Sequence, residues 1–182
     1  MYQAIGIVEL KSIAKGIEAT DAALKSAGVK LVSAHPSCPG KYEIILTGGI
    51  ADVEAAVDHV KGRFDSRLID SCVIGRIDPQ VVTGMFGTQE GAKTGSVGII
   101  ETFSAASLIR AADIAVKTAK VAIYELRLSR GMGGKGLVII TGEVGDVTAS
   151  VEAGAAYAKE QGLFCNSAVI PAPHKELWEQ LS

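Results

Sequence analysis

The sequence predicts an α+β fold written twice, and two observations predict it. The first half of the chain recurs in the second, and each half runs strand–helix–strand–strand–helix–strand in the alternation of short β-branched runs with helical stripes. Residues 5–34 set over 97–126 agree at 12 of 30 positions, among them Gly6/Gly98, Glu9/Glu101, Ser12/Ser104, Asp21/Asp113 and Lys25/Lys117. Residues 40–60 set over 134–154 agree at 9 of 21, with Thr47-Gly48 over Thr141-Gly142 and Asp52-Val53 over Asp146-Val147. The offset grows from 92 to 94 between the blocks, so the second copy carries two extra residues in one loop. At 182 residues each copy is long enough for its own small core.

The elements follow in order. "AIGIVEL" is a short apolar strand, and Ser12 after it is a good helix N-cap. Ile13, Ile17 and Leu24, with Ala14, Ala22 and Ala23 between, form a helical stripe that ends near Ala27-Gly28. "VKLVSA" is the second strand, "HPSCPGKY" the loop after it, and "KYEIILTG" the third strand. Gly48-Gly49 turns the chain, Asp52 caps a second helix through about residues 59–63, and "RLIDSCVIGRI" closes the unit. In the second copy Ser104 and Asp146 cap the two helices and "LFCNSAVI" is the last strand. The result is two four-stranded antiparallel sheets, each with its helices on one face. The glycine-rich stretch 83–95 reads as a linker, which divides the chain into domains 1–91 and 92–182.

Composition excludes several classes. A net charge of −2 gives no reason to expect nucleic acid or an anionic membrane as partner. The sequence lacks an 18-residue apolar run and the basic-then-apolar start of a secretory signal, which places the protein in the cytoplasm. Three widely spaced cysteines make neither a disulfide framework nor a self-contained metal site. "GMGGKG" satisfies G-x-G-x-x-G through Gly131, Gly133 and Gly136, but a strand follows it where a dinucleotide loop needs a helix. His35, His59 and His174 share no metal-ligand spacing, and nothing resembles a triad or a paired-carboxylate site. Glu9 and Glu101 are read as structural because both copies keep them, and Cys72 and Cys165 as buried thiols within apolar strands.

Cys38 stands apart. It lies between Pro36 and Pro39, with Gly40 permitting a tight turn, in the loop where the copies differ. On these residues alone it is either an exposed thiol without a role, a redox-reactive thiol, or a metal ligand awaiting partners from other chains. Were three copies to meet on a three-fold axis, three thiolates would bind three corners of an iron–sulfur cubane.

The repeated motifs "AIGIVELKSIAKGIEATDAALKSAGV" and "SVGIIETFSAASLIRAADIAVKTAKV", with the tail "VIPAPHKEL", resemble the bacterial microcompartment shell proteins, and specifically their tandem-domain trimers. The "SCPGKY" loop resembles that of the members tied to propanediol utilisation. The resemblance implies a non-enzymatic tile with two BMC domains, a homotrimer shaped as a pseudohexamer that joins other shell proteins edge to edge. It implies that Cys38 of each chain ligates one [4Fe–4S] cluster per trimer, with Ser37, Pro39 and Gly40 shaping the pore loop. Electrons would then cross the shell to or from an encapsulated redox enzyme. Lys25, Lys117 and Arg76 map to the tile edge, while Ala172 replaces a basic residue in the second copy. A plain tile with a metabolite pore, and a redox or zinc-binding thiol site, stay open beside the cluster.

Overall fold

The structure is a computed structural model that describes residues 3–87, 94–129 and 131–181. In chain order the elements are β1 (Ala4–Leu10), α1 (Ile13–Ser26), β2 (Lys30–Ser37), β3 (Lys41–Gly48), α2 (Ile50–Phe64), β4 (Leu68–Gly75) and α3 (Pro79–Phe86). There follow β5 (Ser96–Thr102), α4 (Ala105–Thr118), β6 (Val121–Arg127), β7 (Gly136–Gly142), α5 (Val144–Glu160), β8 (Phe164–Ile170) and α6 (Lys175–Gln180). Two four-stranded antiparallel sheets result, as the repeat predicts, and their strand orders are β2-β3-β1-β4 and β6-β7-β5-β8.

The chain divides into two compact units whose bounds interleave along the sequence. The first is Met1–Ile77 with two pieces of the second repeat, Ser104–Ser107 and Ser129–Lys135. The second is Asp78–Phe103, Leu108–Leu128 and Gly136–Ser182. The expected domain boundary at residues 91 and 92 lies outside the described residues.

In the first unit β1 is central, and every one of its residues is buried. Strand alternation sends Ala4, Val8 and Leu10 into a core with Ala19, Ala23, Ile44, Leu46, Val53, Val57 and Phe64. Gly6 lets α2 close on the sheet, since a Cβ there would stand 2.7 Å from Val53 and 2.8 Å from Val57. Gly98 does the same in the second unit against Val151 and Val147, at 2.6 and 2.7 Å. On that unit's sheet Trp178 of α6 packs with Val97, Ile139 and Tyr124, its ring edge-on to Tyr124 at 5.8 Å.

Several local expectations need correction. Asp52 and Asp146 are not caps: Gly49 and Glu143 precede the two helices, and the aspartates lie in the first turns, where a negative charge suits the helix dipole. Of the predicted stripe, Ile13, Ala14, Ile17 and Leu24 face outward, while Ala22 and Ala23 are buried together with Gly16, Ala19 and Thr20. Small residues win that face because α1 lies close to β3; a Cβ at Gly16 would fall 2.3 Å from the Tyr42 ring. The stretch expected as linker begins inside α3, which Asp78 caps by accepting from the Gln80 N–H; residues 88–93 of it lie outside the described residues. Cys72 and Cys165 are half-buried rather than buried. The Gly131–Gly136 run connects β6 to β7, as its sequence context indicates.

Candidate functional site: the Cys38 turn

Cys38, Pro39 and Gly40 form the whole connection between β2 and β3, a tight hairpin end. Gly40 has φ +90°, a conformation that needs glycine, and its N–H donates to the Ser37 carbonyl at 3.0 Å. The Cys38–Pro39 peptide is cis. The predicted pore-loop residues Ser37, Cys38, Pro39 and Gly40 therefore share one turn, with Ser37 buried, Cys38 half-buried, and Pro39 and Gly40 exposed.

This turn is tied down from outside its own hairpin. The Cys38 N–H donates to the Ser129 carbonyl at 3.1 Å. Ser129 Oγ in turn donates to the Gly134 carbonyl at 3.2 Å, and so does Lys41 Nζ at 3.1 Å. Gly134, with φ +85°, sits so near that a Cβ would meet the Cys38 carbonyl and Pro39 Cδ at 2.8 Å each. Lys41 Nζ also reaches Glu9 Oε1 at 3.1 Å.

Glu9 belongs to a row of ionisable residues that crosses the sheet. Strand register places His35, Glu43, Glu9 and Asp70 side by side on β2, β3, β1 and β4. They lie on the face opposite α1 and α2, because Glu9 alternates with the core-facing Val8 and Leu10. Glu9 and Glu43 are fully buried, and His35 Nε2 lies 3.5 Å from Glu43 Oε2. Burial pushes the Glu9 carboxyl up to about 7, against the pull of the Lys41 ammonium. At the row's end, Asp70 Oδ2 accepts from Ser107 Oγ at 2.7 Å and from Ser104 Oγ, while Glu9 Oε2 accepts the Ala105 N–H at 3.0 Å. The second sheet carries Arg127, Leu137, Glu101 and Asn166 in the matching row.

The anticipated edge residues stand in different settings. Lys25 ends α1 and pairs with Asp21 at 2.6 Å, both exposed, beside a hollow lined by Glu18, His59 and Arg63. Lys117 pairs at 2.7 Å with Asp113, which is buried and also accepts the Asp78 N–H at 2.9 Å. Arg76 follows β4 with φ +50° and borders a hollow with Gln3, Ile50 and Gly75. The sequence reading missed Lys41, Ser129 and Gly134 as supports of the turn. Lys41 carried one signal, since "GK" recurs at residues 134 and 135; Ser129 carried none, because it holds Cys38 through its backbone carbonyl.

Among the described residues no group of three or more His, Cys, Asp and Glu side chains is placed to hold a metal ion. None of their helices is long and apolar enough to cross a membrane. The described residues thus place the Cys38 thiol in a braced turn on a duplicated α+β sheet unit. The BMC domain model matches residues 4–77 and again 96–173, so the chain belongs to the BMC-domain family and is a bacterial microcompartment shell protein with two such domains in tandem. It is 41% identical over 181 residues to the bacterial microcompartment shell protein PduT of Citrobacter freundii, spanning 100% of this chain and 98% of that one. The carboxysome assembly protein CcmO of Synechococcus elongatus is 29% identical across 98% of this chain and 68% of its own length. A crystal structure of a microcompartments protein from Desulfitobacterium hafniense DCB superposes with TM-score 0.82 at 43% identity, covering 98% and 99% of the two chains.

Proposed function

We propose that this chain is a non-catalytic shell tile that assembles as a homotrimer and brings its three Cys38 turns to one axis. There the three thiolates hold one [4Fe–4S] cluster per trimer, and the tile meets other shell proteins at its edges. The observation that carries this reading is the Cys38 turn itself: a half-buried thiol at a hairpin tip, held by two backbone hydrogen bonds and supported by Gly134 and Lys41. A thiolate is the donor that iron–sulfur clusters take, and one chain supplies one such donor here, so a symmetric assembly must supply the rest. The bound cluster would supply one-electron transfer, linking an encapsulated redox enzyme to a partner outside the shell.

The chain's own residues prepare the site. The Cys38 N–H and Gly40 N–H are committed to Ser129 and Ser37, which fixes the direction of the loop before any ligand arrives. Lys41 Nζ bridges Glu9 Oε1 and the Gly134 carbonyl, which anchors the segment packed against the Cys38 turn. Pro39 and Gly40 stay exposed at the tip and shape what approaches it.

Anaerobic purification tests the proposal. Wild-type protein is expected to be brown, with broad visible absorbance and bound iron and sulfide, and Cys38→Ala to lose all three while keeping the trimer. A colourless, iron-free wild-type trimer would instead support a plain tile with a metabolite-conducting pore.

A further inference from the structure

The repeat fills one joint within the chain and leaves its counterpart open. In the first unit, the first turn of α4 seats on β1 and β4. Glu9 Oε2 accepts the Ala105 N–H at 3.0 Å, Asp70 Oδ2 accepts from Ser104 Oγ and Ser107 Oγ, and Cys72 Sγ donates to the Ala106 carbonyl at 3.4 Å. Register and repeat translate every member of this joint. Ser12, Ile13, Ala14 and Lys15 of α1 answer to Ser104, Ala105, Ala106 and Ser107. Glu101, Asn166 and Ala168 of the second sheet answer to Glu9, Asp70 and Cys72.

Both translated halves are more exposed than the joint they answer to. Ile13 is 39% and Ile17 57% exposed, whereas their counterparts Ala105 and Ile109 are 1% and 0%. Asn166 and Ala168 are exposed, and Glu101 is only half-buried where Glu9 is completely so. Asn166 nevertheless holds the pose of Asp70: its Oδ1 accepts the Ser167 N–H at 2.9 Å, as Asp70 Oδ1 accepts the Ser71 N–H at 2.8 Å.

We infer that Glu101 and Asn166 form a socket for the first turn of α1 from a second copy of this chain. Glu101 accepts the incoming Ile13 N–H, and Ile13 and Ile17 lose their exposure there. With Oδ1 committed to Ser167, Asn166 presents Nδ2 where Asp70 presents an acceptor, so it donates to Ser12 Oγ. The polarity of this contact is therefore reversed between the two joints. Lys15, whose Nζ pairs with Glu18 at 2.7 Å, takes the place of Ser107, so the second hydroxyl of the joint has no counterpart. The joint between chains is thus chemically distinct from the joint within one, and α1 and α4 are not interchangeable in it.

The inference rests on the trimer proposed above, and its test separates the two. Native mass is measured for wild type, E101A and E101Q at one concentration, with circular dichroism as a check of folding. The expected result is three chains for wild type, a shift to one chain for folded E101A, and recovery of assembly in E101Q, whose amide oxygen still accepts. Independently, A14C/A168C in a C38A background is treated with a short bifunctional thiol reagent beside C38A alone. Covalent two- and three-chain species above the C38A level support the socket, and this arm decides the matter if E101A does not fold. A wild-type trimer whose A14C/A168C variant cross-links no more than C38A overturns the socket and leaves the tile standing. Wild-type protein that remains a single chain overturns both.

Discussion

Glu9 shows how a residue read as structural acquires a measurable property. Its place at the end of the first strand and its repetition as Glu101 were visible in the sequence, but its surroundings were not. Burial raises its carboxyl to about 7 from an ordinary 4.5; attraction and hydrogen bonding from Lys41 oppose this, Glu43 adds to it, and the Ala105 N–H opposes it. A carboxyl raised in the folded state binds its proton more tightly there than in the unfolded chain. Its contribution to stability is complete below about 4.5 and is lost as pH rises through about 7. Chemical denaturation between pH 5 and 8 should show wild-type stability falling with pH by an amount on the order of 3 kcal/mol, and E9Q should flatten the decline. Cys38 was legible as the singular residue, since only its loop breaks the repeat. What holds it was not legible, because Ser129 and Gly134 act through backbone carbonyls about ninety residues away.

At the scale of elements, periodicity and repetition were enough to place the eight strands and four long helices of the described residues. They misassigned the face of α1, because three large apolar residues outweigh alanines in any hydrophobic stripe. The helix lies too close to β3 for large side chains, so glycine and alanine turn inward and Ile17 turns out. Short α3 and α6 lacked a stripe long enough to register, although Asp78-Pro79 is a recognisable helix start. Close packing also makes two glycines opposite in behaviour. G6A drives a methyl into Val53 and Val57 and should lower stability by about 1–3 kcal/mol. G62A lies in α2 with nothing within 4 Å of the new Cβ, and should raise it by about 0.5–1 kcal/mol. Thermal unfolding of the two variants checks both signs.

At the scale of the whole molecule, the repeat is approximate where assembly would need difference. Lys25 and Lys117 occupy the same place in sequence, yet the first pairs with an exposed aspartate and the second with a buried one. K25A should therefore cost less than about 1 kcal/mol of stability, its effect falling on edge-to-edge sheets seen by electron microscopy. K117A strips a charge partner from buried Asp113 and should cost about 1–3 kcal/mol in urea unfolding as well. The rows across the two sheets differ in the same way, with Glu43 and Asp70 in one and Leu137 and Asn166 in the other. Sequence could show those substitutions but not what each faces, since that depends on elements far apart in the chain. The proposed centre likewise exists only in the assembly. Native mass spectrometry of anaerobically prepared protein examines it directly: the account predicts three chains carrying the mass of one [4Fe–4S] cluster, and a metal-free trimer would contradict it.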